Sequence, residues 1–314
     1  MITMEHVCKS YKVAKRKAGF SEACKSLFRR EHEIVHALKD VSFTIGEGEM
    51  VGYIGPNGAG KSSTIKILSG ILTPDSGSCS VDGRIPWKNR TEHVRQIGVV
   101  FGQRSQLWWD IPVIDSFELL KEIYSVSKEK YNRKLEELTE LLQLSEILKT
   151  PTRQLSLGQR MRCEVAASLL HEPKILFLDE PTIGLDAVSK LSVRDFIKKM
   201  NREHKTTVIL TTHDMQDIEA IAERVILIGK GQILLDGSLQ DLRLAAGVTE
   251  EVPGEARNVE GRRDDAVGGQ VSVDTAEKVP DDGTKTVAAE NTATKSGLNL
   301  DHVMAALYKK LDIM

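Results

Sequence analysis

Three stretches of this chain carry residue types able to handle a phosphate ester. The first runs Gly55-Pro-Asn-Gly-Ala-Gly-Lys61-Ser62 and fits the spacing GxxxxGK[ST] without a mismatch. Glycines so placed let successive backbone N–H groups face one anion, and a helix beginning just after them adds positive potential. A lysine there reaches the β- and γ-phosphates of a nucleotide, and the serine hydroxyl ligates Mg2+. The candidate phosphate-binding set is Gly55, Asn57, Gly58, Ala59, Gly60, Lys61, Ser62 and Ser63. The second stretch, Lys174-Ile-Leu-Phe-Leu, ends in Asp179-Glu180. A carboxylate at the C-terminal end of a parallel strand beside such a loop can hold Mg2+, directly or through water, which suits Asp179. Glu180, one residue on, can take a proton from a water that attacks the γ-phosphate. The third stretch, Val208-Ile-Leu-Thr-Thr, ends in His213.

These residues need particular elements to hold them. The apolar run Met50–Ile54 predicts a buried strand before the glycine loop, and Ile65, Ile67, Leu68 and Ile71 predict a buried helix after it. Strand, glycine loop and helix is the context that the loop chemistry requires. A hydrophobic run ending in two acids is common by chance. In one chain with the loop, it points to a nucleotide triphosphatase.

Further motifs select the family. Leu155-Ser-Leu-Gly-Gln159 stands before a helical stretch about twenty residues ahead of the strand that ends in Asp179, and Gly184-Leu-Asp186 follows that strand closely. With these, residues 1 to about 245 resemble the ATPase subunits of ABC transporters. The resemblance implies an α/β P-loop NTPase core of the ABC ATPase type, with a helical subdomain and an antiparallel β subdomain. It makes LSLGQ the counterpart of the family's LSGGQ signature, with Ser156, Gly158 and Gln159 contacting ATP held by another subunit. Leu157 replaces the usual glycine, and its side chain is expected to pack against that facing subunit. Asp186 falls in the family's D-loop and His213 at its switch histidine. Tyr11 matches the aromatic that stacks on adenine. Gln103 matches the glutamine that senses Mg2+ and the membrane partner, with Gln106 as the rival position. The implied assignment makes Glu180, His213 and Gln103 catalytic, and Ser62, Gln103 and Asp179 ligands of Mg2+, with ATP as the nucleotide.

The bulk properties are compatible with this. Of 314 residues, 40% are hydrophobic and 28% charged, a globular balance, and the formal net charge of −2 gives no ground for a nucleic-acid partner. No stretch reaches the roughly 18–20 apolar residues of a bilayer span, and the start MITMEHVCKSYK lacks the apolar core of a signal peptide. A cytosolic protein is expected. Cys8, Cys24, Cys79 and Cys163 are scattered without CxxC spacing, so neither a disulfide frame nor a zinc site is expected.

Beyond the cassette of 1–245, residues 248–297 contain no Leu, Ile, Met, Phe, Tyr or Trp, the composition of a disordered linker. Residues 298–314 return to helical spacing, with Leu300, Val303, Leu307 and Leu311 on one face; the expectation is a C-terminal helix that docks on the main domain, with a dimer or membrane-surface contact as the alternative. Residues 104–155 correspond to the helical subdomain, with helical patterns over Ser116–Tyr124 and Tyr131–Leu148 and the pair Trp108-Trp109. One of these tryptophans is expected to contact a permease, because aromatics anchor interfaces. Residues 12–36 form a basic insertion, with seven Lys or Arg against one Glu between Lys12 and Arg30. A solvated face is the plain reading of that run; contact with anionic lipid is the second.

The resemblance therefore implies a peripheral subunit on the cytoplasmic face of a membrane. Its partners would be integral-membrane permease subunits and a second ATPase subunit, as a homodimer or a heterodimer. The loop, the insertion and VFGQRSQLWWD most resemble ATPases of bacterial drug-, antibiotic- and viologen-exporter systems, so export is the expected direction. A stand-alone regulatory ATPase of the same type is the alternative. Only 94 residues separate Lys61 from Leu155, too few for the long coiled coils of the superfamily's DNA-repair members.

Overall fold

The loop-bearing helix lies between two sheets. The protein, a computed structural model, is described over residues 1–14, 32–102, 104–247 and 300–311. Strands β1 (Ile2–Ala14), β2 (His32–Ile45) and β4 (Ser76–Val81) form an antiparallel sheet in the order β2-β1-β4. Strands β3 (Met50–Ile54), β5 (Ile97–Phe101), β6 (Ile175–Asp179), β7 (Thr207–Thr212), β8 (Arg224–Gly229) and β9 (Gln232–Ser238) form the second, in the order β5-β6-β7-β3-β8-β9. The first five in that order are parallel, and β9 turns back antiparallel on β8. Parallel strands covered on both faces read as unbroken apolar runs, which is why MVGYI and ILFLD were legible as strands.

Nine α-helices are described: α1 (Lys61–Leu68), α2 (Arg90–Val94), α3 (Val113–Ile123), α4 (Lys128–Leu141), α5 (Leu157–Leu169), α6 (Ala187–His204), α7 (Met215–Ile221), α8 (Leu239–Ala245) and α9 (Leu300–Lys310). Ile65, Ile67 and Leu68 of α1 join one core with Ile2 and Val41 of the first sheet and Tyr53 and Phe177 of the second. The opposite face of the second sheet forms another core with α3, α5, α6, α7 and α9. No helix among the described residues is long and apolar enough to cross a membrane.

Several sequence expectations change. Ile71 is 47% exposed, because α1 ends at Leu68 and Gly70 adopts φ +75 and redirects the chain. The helical pattern expected to run to Leu148 stops at Leu141, where Gln143 at φ +52 breaks it. On the C-terminal helix Val303, Met304 and Leu307 are buried, whereas Leu311 lies past the helix end and is 41% exposed. The basic stretch 12–36 is narrower as an insertion than its composition suggested. Its ends are paired strands, with Lys12 opposite Ile34 and Ala14 opposite His32. Residues 15–31, most of that stretch, lie outside the described residues, as do Cys24 and the linker expected at 248–297. Cys8, Cys79 and Cys163 are free thiols.

Candidate functional site

Register in the parallel sheet gathers the chemistry at one edge. Ile54 pairs with Thr212, Asp179 with Thr211, and Phe101 with Asp179. The segments that leave β3, β5, β6 and β7 thus emerge side by side, at the carboxyl ends where open parallel sheets bind ligands. They surround a cavity of about 890 Å3 whose lining includes Gly55, Asn57, Ser62, Asp179, Glu180 and His213.

The loop's shape depends on its glycines. Gly60 caps α1 at φ +117, and a Cβ there would sit 2.6 Å from the Ala37 carbonyl oxygen, so only glycine fits. Lys61 is buried, and its ammonium donates to the carbonyls of Gly55 (2.6 Å) and Pro56 (3.1 Å). Burial pushes its pKa down, while the carboxylates of Glu180 and Asp179 act in the opposite direction. The lysine is thus held inside its own loop by acceptors that phosphate oxygens can replace.

Ser62 Oγ lies 3.4 Å from Asp179 Oδ1. The same Asp179 oxygen accepts from Thr211 Oγ1 at 2.6 Å, which fixes the carboxylate. Glu180 takes φ +55, a backbone state unusual outside glycine. Its N–H donates to the Thr211 carbonyl at 2.9 Å and to Thr211 Oγ1 at 3.2 Å, which supports that state. His213 Nδ1 stands 3.6 Å from Glu180 Oε1, an ion-pair distance too long for a hydrogen bond. A carboxylate, an imidazole and a ring of phosphate donors facing one cavity can bind a polyphosphate and activate a water beside it.

Other expected residues sit differently. The Tyr11 hydroxyl is 3.3 Å from Ser63 Oγ, which places the ring beside the start of α1 but not among the cavity lining. Gln103 lies outside the described residues; its neighbours Gly102 and Arg104 both line the cavity. The rival Gln106 is engaged elsewhere, with its Nε2 donating to the Glu164 carbonyl at 2.9 Å. The unusual Gly102 has a steric reason, since a Cβ there would lie 2.2 Å from the Glu180 carbonyl oxygen. Ser156 and Gln159 form a reciprocal capping box at the start of α5, and Asp186 caps α6 through Ser189. Neither group lines the cavity, and nor does Gly158, which abuts Ser189. Leu157 has a neighbour within its own chain. It packs toward Gly184 of its own chain, near enough that a Cβ on Gly184 would lie 2.8 Å from its Cδ2, and is 37% exposed.

Sequence reasoning missed two groups. Thr211, which orients Asp179 and Glu180, reads as one more residue of an apolar strand. Asp217 is fully buried; it accepts from Arg194 Nε at 2.5 Å and Thr212 Oγ1 at 3.3 Å, and also bonds Thr182. It ties the segment after Glu180 to that before His213, and its partners are too scattered in sequence to signal a cluster.

Comparison with known proteins agrees with this architecture. The family described as ABC transporter matches residues 38–183. The ABC transporter ATP-binding protein NatA of Bacillus subtilis is 32% identical over 219 residues, covering 70% of this chain and 89% of that protein. The linearmycin resistance ATP-binding protein LnrL of the same organism is 32% identical, covering 65% of each chain. The methionine import ATP-binding protein MetN of Vibrio vulnificus is 34% identical, covering 69% of this chain and 64% of the relative. Among solved structures, the dimeric post-hydrolysis state of the ATP-binding cassette MJ0796 with ADP and Pi superposes with a TM-score of 0.64 at 28% identity, covering 76% of this chain and 99% of that one.

Proposed function

The chain belongs to the ABC transporter family as one of its ATP-binding, ATP-hydrolysing subunits, and from that premise we propose how its residues divide the work. The observation that carries the assignment is the meeting of Ser62 with Asp179 at 3.4 Å, with Glu180 next in the chain and His213 beside it. The loop N–H groups and Lys61 hold the β- and γ-phosphates, and Lys61 exchanges its loop carbonyls for phosphate oxygens. Glu180 accepts the proton of the attacking water as the bond from the γ-phosphorus to the ADP oxygen breaks. His213 contacts the γ-phosphate, Tyr11 stacks on adenine, and Gln103 orients water and metal.

The donors fit Mg2+ as a co-ligand of nucleotide. Ser62 and Asp179 present hard oxygens, and Mg2+ commonly takes one or two protein oxygens with phosphate and water completing its shell. Any ion held by Ser62 and Asp179 would therefore share its shell with nucleotide phosphates. Bound there, it would neutralise charge on the β- and γ-phosphates.

Two copies complete the site. Ser156, Gly158 and Gln159 of one would face the γ-phosphate held by the other, with Asp186 at the same interface. A homodimer would then carry two competent sites, and a heterodimer would pair one such half with a different cassette. The cassette, residues 1–245, works from the cytoplasmic face on separate permease subunits. One of Trp108 and Trp109, in the 104–155 region, contacts the permease; the basic run of 12–36 is a solvated face, with contact to anionic headgroups as the second reading. The transported substrate is a drug-like or antibiotic-like molecule moving outward. Support comes from the exporter-like loop and VFGQRSQLWWD stretch and from a relative named for linearmycin resistance; the methionine-import relative represents the competing direction. The test is drug accumulation in cells lacking the chain, complemented by wild type or by Lys61→Ala. Higher accumulation, corrected by wild type alone, supports export. Unchanged drug accumulation with lost uptake of a nutrient supports import.

A further inference from the structure

One wall of the phosphate cavity comes from the chain's own C-terminal helix. Asp301, Met304, Ala305 and Tyr308 of α9 line the same cavity as Asn57, Ser62, Asp179, Glu180 and His213. Their spacing of three and four residues puts them on one helix face. The adjacent stripe anchors the helix: Val303, Met304 and Leu307 are buried in the core that contains Met215, Ile218 and Leu242. Lys310 Nζ also donates to the Ala245 carbonyl at 3.0 Å.

Most of this wall is poorly suited to a triphosphate, although Tyr308 carries a hydroxyl on it. Met304 and Ala305 offer no donors, and Asp301 brings a carboxylate into the first turn, where it offsets the positive potential of the helix start. The chain's own Ser156–Gln159 segment lies elsewhere, so donors for the far side of the γ-phosphate have to come from a second copy. The loop and the segments after β5, β6 and β7 line other parts of the cavity.

We propose that α9 is an autoinhibitory cap: it occupies the face that a second copy's Ser156–Gln159 segment needs, and ATP-driven pairing displaces it. This rests on the cavity being the ATP site. The anchor is three buried side chains and the Lys310 bond, and 54 residues, 246–299, lie between α8 and α9 in the sequence. A displaced α9 stays covalently joined to the cassette.

The test uses the full chain carrying Glu180→Gln, so that bound ATP persists. Hydrogen–deuterium exchange is followed over 300–311 with and without Mg-ATP, together with dimer formation by light scattering. Faster exchange across α9 on adding ATP, alongside dimerisation, is expected. In the same background Val303→Asp/Leu307→Asp should raise apparent ATP affinity by about 5-fold or more, since a binding-competent state held as a minority lowers apparent affinity by its population. Asp301→Asn, on an exposed position, should move affinity the same way. If the double variant does not fold, exchange and Asp301→Asn decide. Tight ATP binding with α9 exchange unchanged or slowed would make the helix a permanent wall and overturn the cap, leaving the ATP site intact. Absence of ATP binding in every form would overturn the cap and the site together.

Discussion

The Ser62 hydroxyl and the Asp179 carboxylate, 117 residues apart in the chain, meet at 3.4 Å across the end of a strand that belongs to neither. β7 lies between β3 and β6, and its Thr211 donates to the same Asp179 oxygen at 2.6 Å. Thr211→Val would keep the shape of the strand and remove that donor. The change is expected to cost about 0.5–1.5 kcal/mol of stability, the net scale of one hydrogen bond, because Asp179 is only partly buried and lines the cavity. It should also raise the Mg2+ concentration needed for half-maximal hydrolysis, with metal-free ATP binding little changed. Titrating Mg2+ against turnover checks this.

Gly102 provides a second check on the same corner. Its N–H donates to the Asp179 carbonyl at 2.8 Å, and a Cβ would lie 2.2 Å from the Glu180 carbonyl oxygen. Gly102→Ala should push the Glu180 backbone aside and destabilise the chain by about 1–3 kcal/mol, as overpacking does. Hydrolysis should fall further than ATP binding, measured as turnover against the dissociation constant.

Acid sensitivity should trace in part to His171. Its ring stacks on Tyr124 at 3.9 Å, Nε2 bonds the Ile97 carbonyl at 2.9 Å, and Nδ1 is buried without a hydrogen-bond partner. Burial pushes its pKa from 6.5 down to about 4. The unfolded chain therefore binds a proton in this window that the folded chain refuses. Stability from this group is complete above 6.5 and falls as pH drops toward 4. The loss is about 3 kcal/mol in full, from about 1.4 kcal/mol per pKa unit. Urea unfolding at neutral and mildly acid pH should show that slope in wild type and its loss in His171→Gln, which keeps a donor for Ile97.

Trp108 and Trp109 are 42% and 52% exposed, whereas the preceding Leu107 is buried. Replacing both tryptophans by Ala should leave the melting temperature of the isolated chain nearly unchanged, as for most surface sites. Loss of an aromatic anchor should weaken permease binding by about 2 kcal/mol or more. A large fall in melting temperature would instead make them structural.

What the sequence revealed follows from the physics of parallel sheets. Strands buried on both faces leave continuous apolar runs, and chemistry gathers where those runs end, so the segments around Lys61, Asp179 and His213 stand out in the sequence. Thr211 was hidden because its role depends on lateral register, which a linear pattern does not carry. The early stop of α4 depends on Gln143 at φ +52, which its residue type does not announce. The approach of Leu157 to Gly184 of the same chain is likewise a product of folding and not of local pattern. The apolar stripe of α9 was readable as one that must dock, but its position beside the phosphate loop depends on a return of the chain from beyond residue 248.

The central claim is that ATP rests on the Gly55–Ser63 loop and that Glu180 activates the water that cleaves it. Single-turnover hydrolysis of radiolabelled ATP by wild type and Glu180→Gln, with ATP affinity measured on the same preparations, tests it most directly. Affinity within a few-fold of wild type with cleavage slowed by about 100-fold or more, the scale of losing a general base, is the predicted result. Cleavage at close to the wild-type rate in Glu180→Gln would contradict it and move the base elsewhere in the cavity.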